Sequence, residues 1–216
     1  GFTIRGGRGQ NGAGLLNNEN APVIANCTFT DNQATRFGGA VINIDDANAQ
    51  FLNCVFEGNI AGESGGAIAN TSASPEVRDC VFIANTAVAA GGAIFNTPDS
   101  NAFITNSTFR ENLAENGGAI FSDQANPYID GCFFFDNAAK NFGGAIFNNN
   151  LAEGLLVNSV FARNIAESEH GGAIANQESG LFVLHCTITE NVAGENGGGI
   201  FSNGRQLLVV NSILWD

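Results

Sequence analysis

Hydrophobic and polar positions in this chain alternate in short bursts. Val23, Ala25, Cys27 and Phe29 take every second position of one burst, and Leu155, Val157, Ser159 and Phe161 take those of another. Period-two alternation sends successive side chains to opposite faces, so each burst predicts a strand with one buried face. Gly, Asn, Asp, Ser and Pro bound the bursts, which predicts turns between them. The corners are too short to hold a crossover helix.

The bursts return at a fixed interval. Glycine pairs begin at residues 38, 65, 91, 117, 143, 171 and 197, and Gly12 lies in the same register upstream. The steps are 26, 27, 26, 26, 26, 28 and 26 residues. A second string keeps time with the first: FTDN from Phe29, FEGN from Phe56, FIAN from Phe82, FREN from Phe109, FFDN from Phe134, FARN from Phe161 and ITEN from Ile188. Identical strands one period apart, with no helix to separate them, must stack parallel and in register. The prediction is an all-β parallel β-helix (β-solenoid) of about eight coils of 25–28 residues. Each coil offers three short strands: the GGAIF run, the run before the Cys or Ser, and the Cys-x-Phe run. Coils lie about 4.8 Å apart, the ordinary strand spacing. No linker or shift in composition interrupts the pattern, so residues 1–216 read as a single domain. Neither end carries an obvious polar cap, so a section of a longer array is expected.

Stacking turns the repeat into columns. Phe29, Phe56, Phe82, Phe109, Phe134 and Phe161, then Ile188, form an internal aromatic column, and Val41, Ile68, Ile94, Ile120, Ile146, Ile174 and Ile200 an aliphatic one. Burying each such side chain stabilises by roughly 1.5–3 kcal/mol. Asn32, Asn59, Asn85, Asn112, Asn137, Asn164 and Asn191 form a ladder at one corner, where asparagine tolerates left-handed backbone angles. Asn26, Asn53, Asp79, Asn106, Asn158 and Asn211 mark a second corner. Cys27, Cys54, Cys80, Ser107, Cys132, Ser159, Cys186 and Ser212 share one column, so the site wants a small inward side chain. Neighbouring Cβ vectors in such a column are parallel, which suits a disulfide poorly and predicts free buried thiols. In the GGAIFN run, alternation points Ile inward and Ala and Phe outward.

Composition narrows the function. With eight Lys and Arg residues, a net charge of −13 repels nucleic acid and anionic lipid. No run approaches the ~18 apolar residues that span a membrane. The five cysteines fit no zinc spacing. The glycine pairs precede strands, not helices, so a dinucleotide-binding loop is excluded.

The GGA strings followed by Ile or Val, paired with FxxN, resemble the repeats of the chlamydial polymorphic outer-membrane proteins. The opening GFTI and closing NSILWD resemble the wider right-handed parallel β-helix repeat proteins of pectate-lyase-like architecture. The resemblance covers almost the whole chain. It implies a right-handed solenoid and a secreted or surface-displayed module, often adhesive. The chain departs at Ile188, where Phe is expected, at Gly199, where Ala is expected, and in its imperfect first unit.

Candidate sites are few. Phe95, Phe121, Phe147 and Phe201, with Ile42, Ala69 and Ala175, predict an outward apolar stripe, and contiguous exposed apolar area marks a partner surface. Glu111 and Asp136 hold the same place in adjacent coils, with carboxylates about 5 Å apart if stacked, near the retaining-glycosidase separation. Calcium could bridge them. Arg163 and Glu190 continue that column, as a surface charge ladder would. His170 and His185 read as structural or exposed. No other catalytic or metal constellation is legible. The expectation is a structural or adhesive extracellular or cell-surface module, outer-membrane associated. Its partners would be itself, neighbouring subunits forming a fibre or layer, or a surface protein or glycan. The alternative is a polysaccharide-binding or polysaccharide-cleaving β-helix.

Overall fold

A computed structural model describes residues 1–215; Asp216, the last letter of the closing NSILWD string, lies outside them. The chain winds into a parallel β-solenoid of about eight coils, with no helix among the described residues. Three parallel sheets of nine, eight and fourteen strands run its length. The first holds the Cys-x-Phe strands, such as Val81–Ile83 and Thr108–Arg110. The second is built of two-residue strands just past the ladder asparagines, such as Thr86–Ala87 and Leu113–Ala114, which alternation over longer windows does not register. The third combines the strand after each glycine pair with the strand before each Cys or Ser. A polar loop separates these two until Ile174–Leu184 and Ile200–Val210, where each coil runs through as one strand.

The register is the one the columns require. Phe82 pairs with Phe56 on one side and Phe109 on the other, and Ile94 with Ile68 and Ile120. From Phe29 to Phe161 the rings stack with centroids 4.6–4.9 Å apart and planes within 7° of parallel. These rings, the Ile column and a third column of Phe51, Val77, Ile104, Ile129, Leu156 and Val183 make one continuous core.

Ala40, Ala67, Ala93, Ala119, Ala145 and Ala173 belong to that core too, contrary to their expected outward placement. The strands begin only at the following residue, Val41 or Ile. Gly-Gly-Ala is a bend, so period-two parity does not carry back across it. The first glycine of each pair has φ between 61° and 74°. At the second, a Cβ would lie 2.0–2.2 Å from the carbonyl oxygen of the next coil's glycine, from Gly39 through Gly172. The pair is thus required twice over, once for backbone angle and once for close approach.

The corner asparagines divide into two kinds. At the second corner Asn26, Asn53, Asn106, Asn158 and Asn211 do adopt left-handed angles, with φ of 48–55°. At the ladder the left-handed residue is the one before the asparagine: Asp31, Gly58, Ala84, Glu111, Asp136, Arg163 or Glu190. The ladder asparagines are buried for their amides instead. Nδ2 of each donates to Oδ1 in the next coil at 2.9–3.0 Å, from Asn32 to Asn191. An inner ladder, not anticipated, joins Asn17, Asn43, Asn70 and Asn96 at 2.8–3.2 Å and reaches Ser122 at 3.3 Å. Beyond it, Asn148 is fully buried with no partner for Nδ2 or Oδ1 among the described residues.

All five cysteines are free and buried. Each column member donates to the carbonyl two residues before it, at 2.8 Å for Ser107 and 3.3 Å for Cys80. Several also accept a backbone N–H from the preceding coil, as Ser107 does from Cys80. A thiol and a hydroxyl both meet this demand, which explains their interchange.

Candidate functional site

The phenylalanine column after the glycine pairs faces away from the main core, but it is not an open stripe. Phe121 and Phe147 are 9% and 4% exposed, and Phe95 and Phe201 are half-buried. In several coils the residue just before the glycine pair packs over them. Phe37 stacks on Phe95 at 6.2 Å, Phe142 on Phe147 at 5.2 Å and His170 on Phe201 at 4.2 Å. Phe121 and Phe147 with Ala90 and Ala175 form a second, external apolar cluster, against which Phe95 and Phe142 pack. The covering residues differ from coil to coil (Phe, Ser, Ala, Asn, His), so no period announces them in the sequence.

Glu111 and Asp136 sit at successive left-handed corners, and each has an arginine. Arg163 makes a forked pair with Asp136, Nε to Oδ1 at 2.8 Å and Nη2 to Oδ2 at 3.0 Å. Arg110 lies 3.6 Å from Glu111. Forked pairing occupies both carboxylate oxygens of Asp136, leaving the charge ladder as the arrangement on view. His185 is exposed at a second-corner position with φ 56°. His170 is different: its side chain is 17% exposed and lies between Phe142 and Phe201. Glu169, His170 and Glu195 offer ligand atoms within 4.8 Å of one another. Period arithmetic could have found the group, since Glu169 and Glu195 both stand two residues before a glycine pair.

A more exposed apolar surface lies on the outer face of the strands before the Cys or Ser, where Phe103 and Leu208 are exposed and Tyr128, Leu155 and Phe182 half-buried. Phe103, Tyr128, Leu155, Phe182 and Leu208 pair in register across five coils. The Phe103 and Tyr128 rings stack at 4.8 Å, 6° from parallel, with Phe103 46% exposed. Val157, Leu184 and Val210 run beside them, also in register. The residue four before each Cys or Ser defines this column, which begins at Val23, passes through the polar Gln50 and Glu76, and is apolar from Phe103 onward. A shallow groove of about 420 Å³ beside the second sheet is lined by Val88, Leu113, Glu115, Lys140 and Glu167; none of the predicted site residues reaches it.

The columns of single coils match a known family. Residues 26–43, 53–71, 106–123 and 185–203 match the Chlamydia polymorphic membrane protein repeat. Four segments of the chain are similar to that repeat. Each matched segment runs from a second-corner residue (Asn26, Asn53, Asn106, His185) through the Cys-x-Phe strand, the ladder asparagine and the glycine pair into the third sheet. The polymorphic membrane protein repeat is therefore the part of a coil that builds both corners and the bend. Between the matched segments lie the loop and the strand before the Cys or Ser, and the coils through Cys80, Cys132 and Ser159 are unmatched. Comparisons with curated proteins and with solved structures found no match.

Proposed function

We propose that this chain is a rigid module displayed at a cell surface, which adheres to a protein partner through the outer face bearing Phe103, Tyr128, Leu155, Phe182 and Leu208. The single observation that carries this reading is the register of that face: five apolar residues from five coils line up on a backbone fixed by the core columns. A contiguous apolar surface of this kind is used for contact. Rigid presentation removes the ordering cost that a flexible loop would incur on binding. The polymorphic membrane protein repeats support a surface or outer-membrane location. The mixture of aromatic and aliphatic residues favours a protein partner over a sugar chain, which would ask for flat rings flanked by polar groups.

The test is adhesion of beads coated with the module to cultured cells, before and after protease or glycosidase treatment of the cells. Phe103→Ser with Tyr128→Ser should cut protease-sensitive adhesion by about tenfold or more, the loss expected on removing two contact residues worth over ~1 kcal/mol together. Its thermal unfolding should stay close to wild type. Absent adhesion by the wild type, adhesion undiminished in the variant, or adhesion abolished only by glycosidase overturns the reading.

A further inference from the structure

We infer that Glu169, His170 and Glu195 form a binding site for a divalent cation of the zinc class, bridging two adjacent coils. Glu169 and Glu195 are in register: the Glu195 N–H donates to the Glu169 carbonyl at 2.8 Å. Two like charges are thus set side by side, an unfavourable arrangement unless a cation joins them. Elsewhere on this rod some exposed carboxylates pair with arginines, as Glu63 does with Arg36 and Asp136 with Arg163. Among the described residues no arginine or lysine pairs with Glu169 or Glu195; the imidazole of His170 takes that place, its Nε2 3.7 Å from Glu195 Oε2.

The imidazole is held ready. It stacks on Phe201 and meets Phe142 edge-on, so little rotamer freedom is left to lose on binding. Its other nitrogen, Nδ1, lies 3.4 Å from the side-chain amide of Asn196. Amide orientation is an assignment, and with the Asn196 oxygen turned inward it accepts Nδ1–H and leaves the Nε2 lone pair free for a metal. One of the two residues that lengthen the step from Gly143 to Gly171 to 28 lies in this turn.

Ligand chemistry selects the ion. One imidazole nitrogen with two carboxylate oxygens suits zinc and its neighbours, whereas calcium takes six to eight oxygens. Zinc bonds of about 2.0–2.2 Å place tetrahedral ligands about 3.4 Å from one another. The ligand atoms here lie within 4.8 Å, so a contraction of about 1 Å by the two flexible glutamate side chains completes the set. Water would fill the fourth position. The bound ion would clamp the turn at Glu169 to the one at Glu195, independently of any adhesive role.

Calorimetric titration of the whole chain with zinc chloride near neutral pH tests this. One equivalent should bind, and calcium chloride should give no comparable heat. Glu195→Gln, at an exposed side chain where folding is not at stake, should weaken zinc binding about tenfold or more, and His170→Gln should abolish it. Far-ultraviolet circular dichroism checks that each variant remains folded, and if His170→Gln does not, Glu195→Gln decides alone. No zinc binding by the wild type overturns the proposal. So does undiminished binding by Glu195→Gln, which would place the ion elsewhere on the chain.

Discussion

Asn112 is engaged through both ends of its amide. Nδ2 donates to Asn137 Oδ1 at 2.9 Å and to the Phe82 carbonyl at 3.1 Å. Oδ1 accepts both Nδ2 and the backbone N–H of Asn85, at 3.0 and 3.1 Å. Asn112→Ala leaves two buried donors of Asn85 short of an acceptor, and an unsatisfied buried group costs about 1–3 kcal/mol. We expect a loss of about 3 kcal/mol in urea unfolding, well above that of an exposed polar substitution. At the thiol column the same scale yields a pH effect. Burial pushes the Cys132 thiol up to about 12, against about 8.5 for a free thiol. The folded state therefore holds its proton where the unfolded state releases it. The sign follows: this contribution is whole below about pH 8.5 and is lost as pH climbs from there toward 12. Cys132→Ser, with an oxygen in the same two hydrogen-bonding roles, should match wild type at neutral pH and lose less stability between about pH 8.5 and 11, measured by urea unfolding at each pH.

At the scale of the element, the glycine pair is the most demanding feature. A Cβ on Gly92 would come 2.1 Å from the Gly118 carbonyl oxygen. That overlap sets backbone against backbone and cannot be relieved by a side-chain rotation. Gly199 stands where the other coils have alanine, and a Cβ there meets only Ile188 Cγ2, at 3.1 Å. Gly92→Ala should therefore unfold the chain or cost more than about 3 kcal/mol, while Gly199→Ala should be neutral or stabilise by up to about 1 kcal/mol by restricting the unfolded chain. Thermal unfolding of both variants side by side makes the comparison. Equal effects would mean that coil spacing, not residue identity, is what yields.

For the whole molecule, the sequence carried most of the architecture because stacking repeats every requirement once per coil. Phe82 above Phe56, Ile94 above Ile68 and the shared Cys and Ser column were all legible from spacing alone. What escaped lay where a requirement is local or shared among residue types. The left-handed corner before the ladder accepts Asp, Gly, Ala, Glu and Arg, so it leaves no compositional trace. The cover over Phe121 and Phe147 comes from residues with no common chemistry. The alanine after the glycine pair turns inward because a bend, not a strand, precedes it. The contact face was hidden for a similar reason: Gln50 and Glu76 interrupt the column between Val23 and Phe103, so no single chemistry repeats along it.

The stacked phenylalanines imply something about lineage as well as stability. Within the stack each ring meets the one above and the one below at nearly the same separation every time. A gene segment encoding one turn can be duplicated or deleted without presenting any survivor with an unfamiliar neighbour. Length is then open to change by recombination, while lateral faces diverge freely from turn to turn.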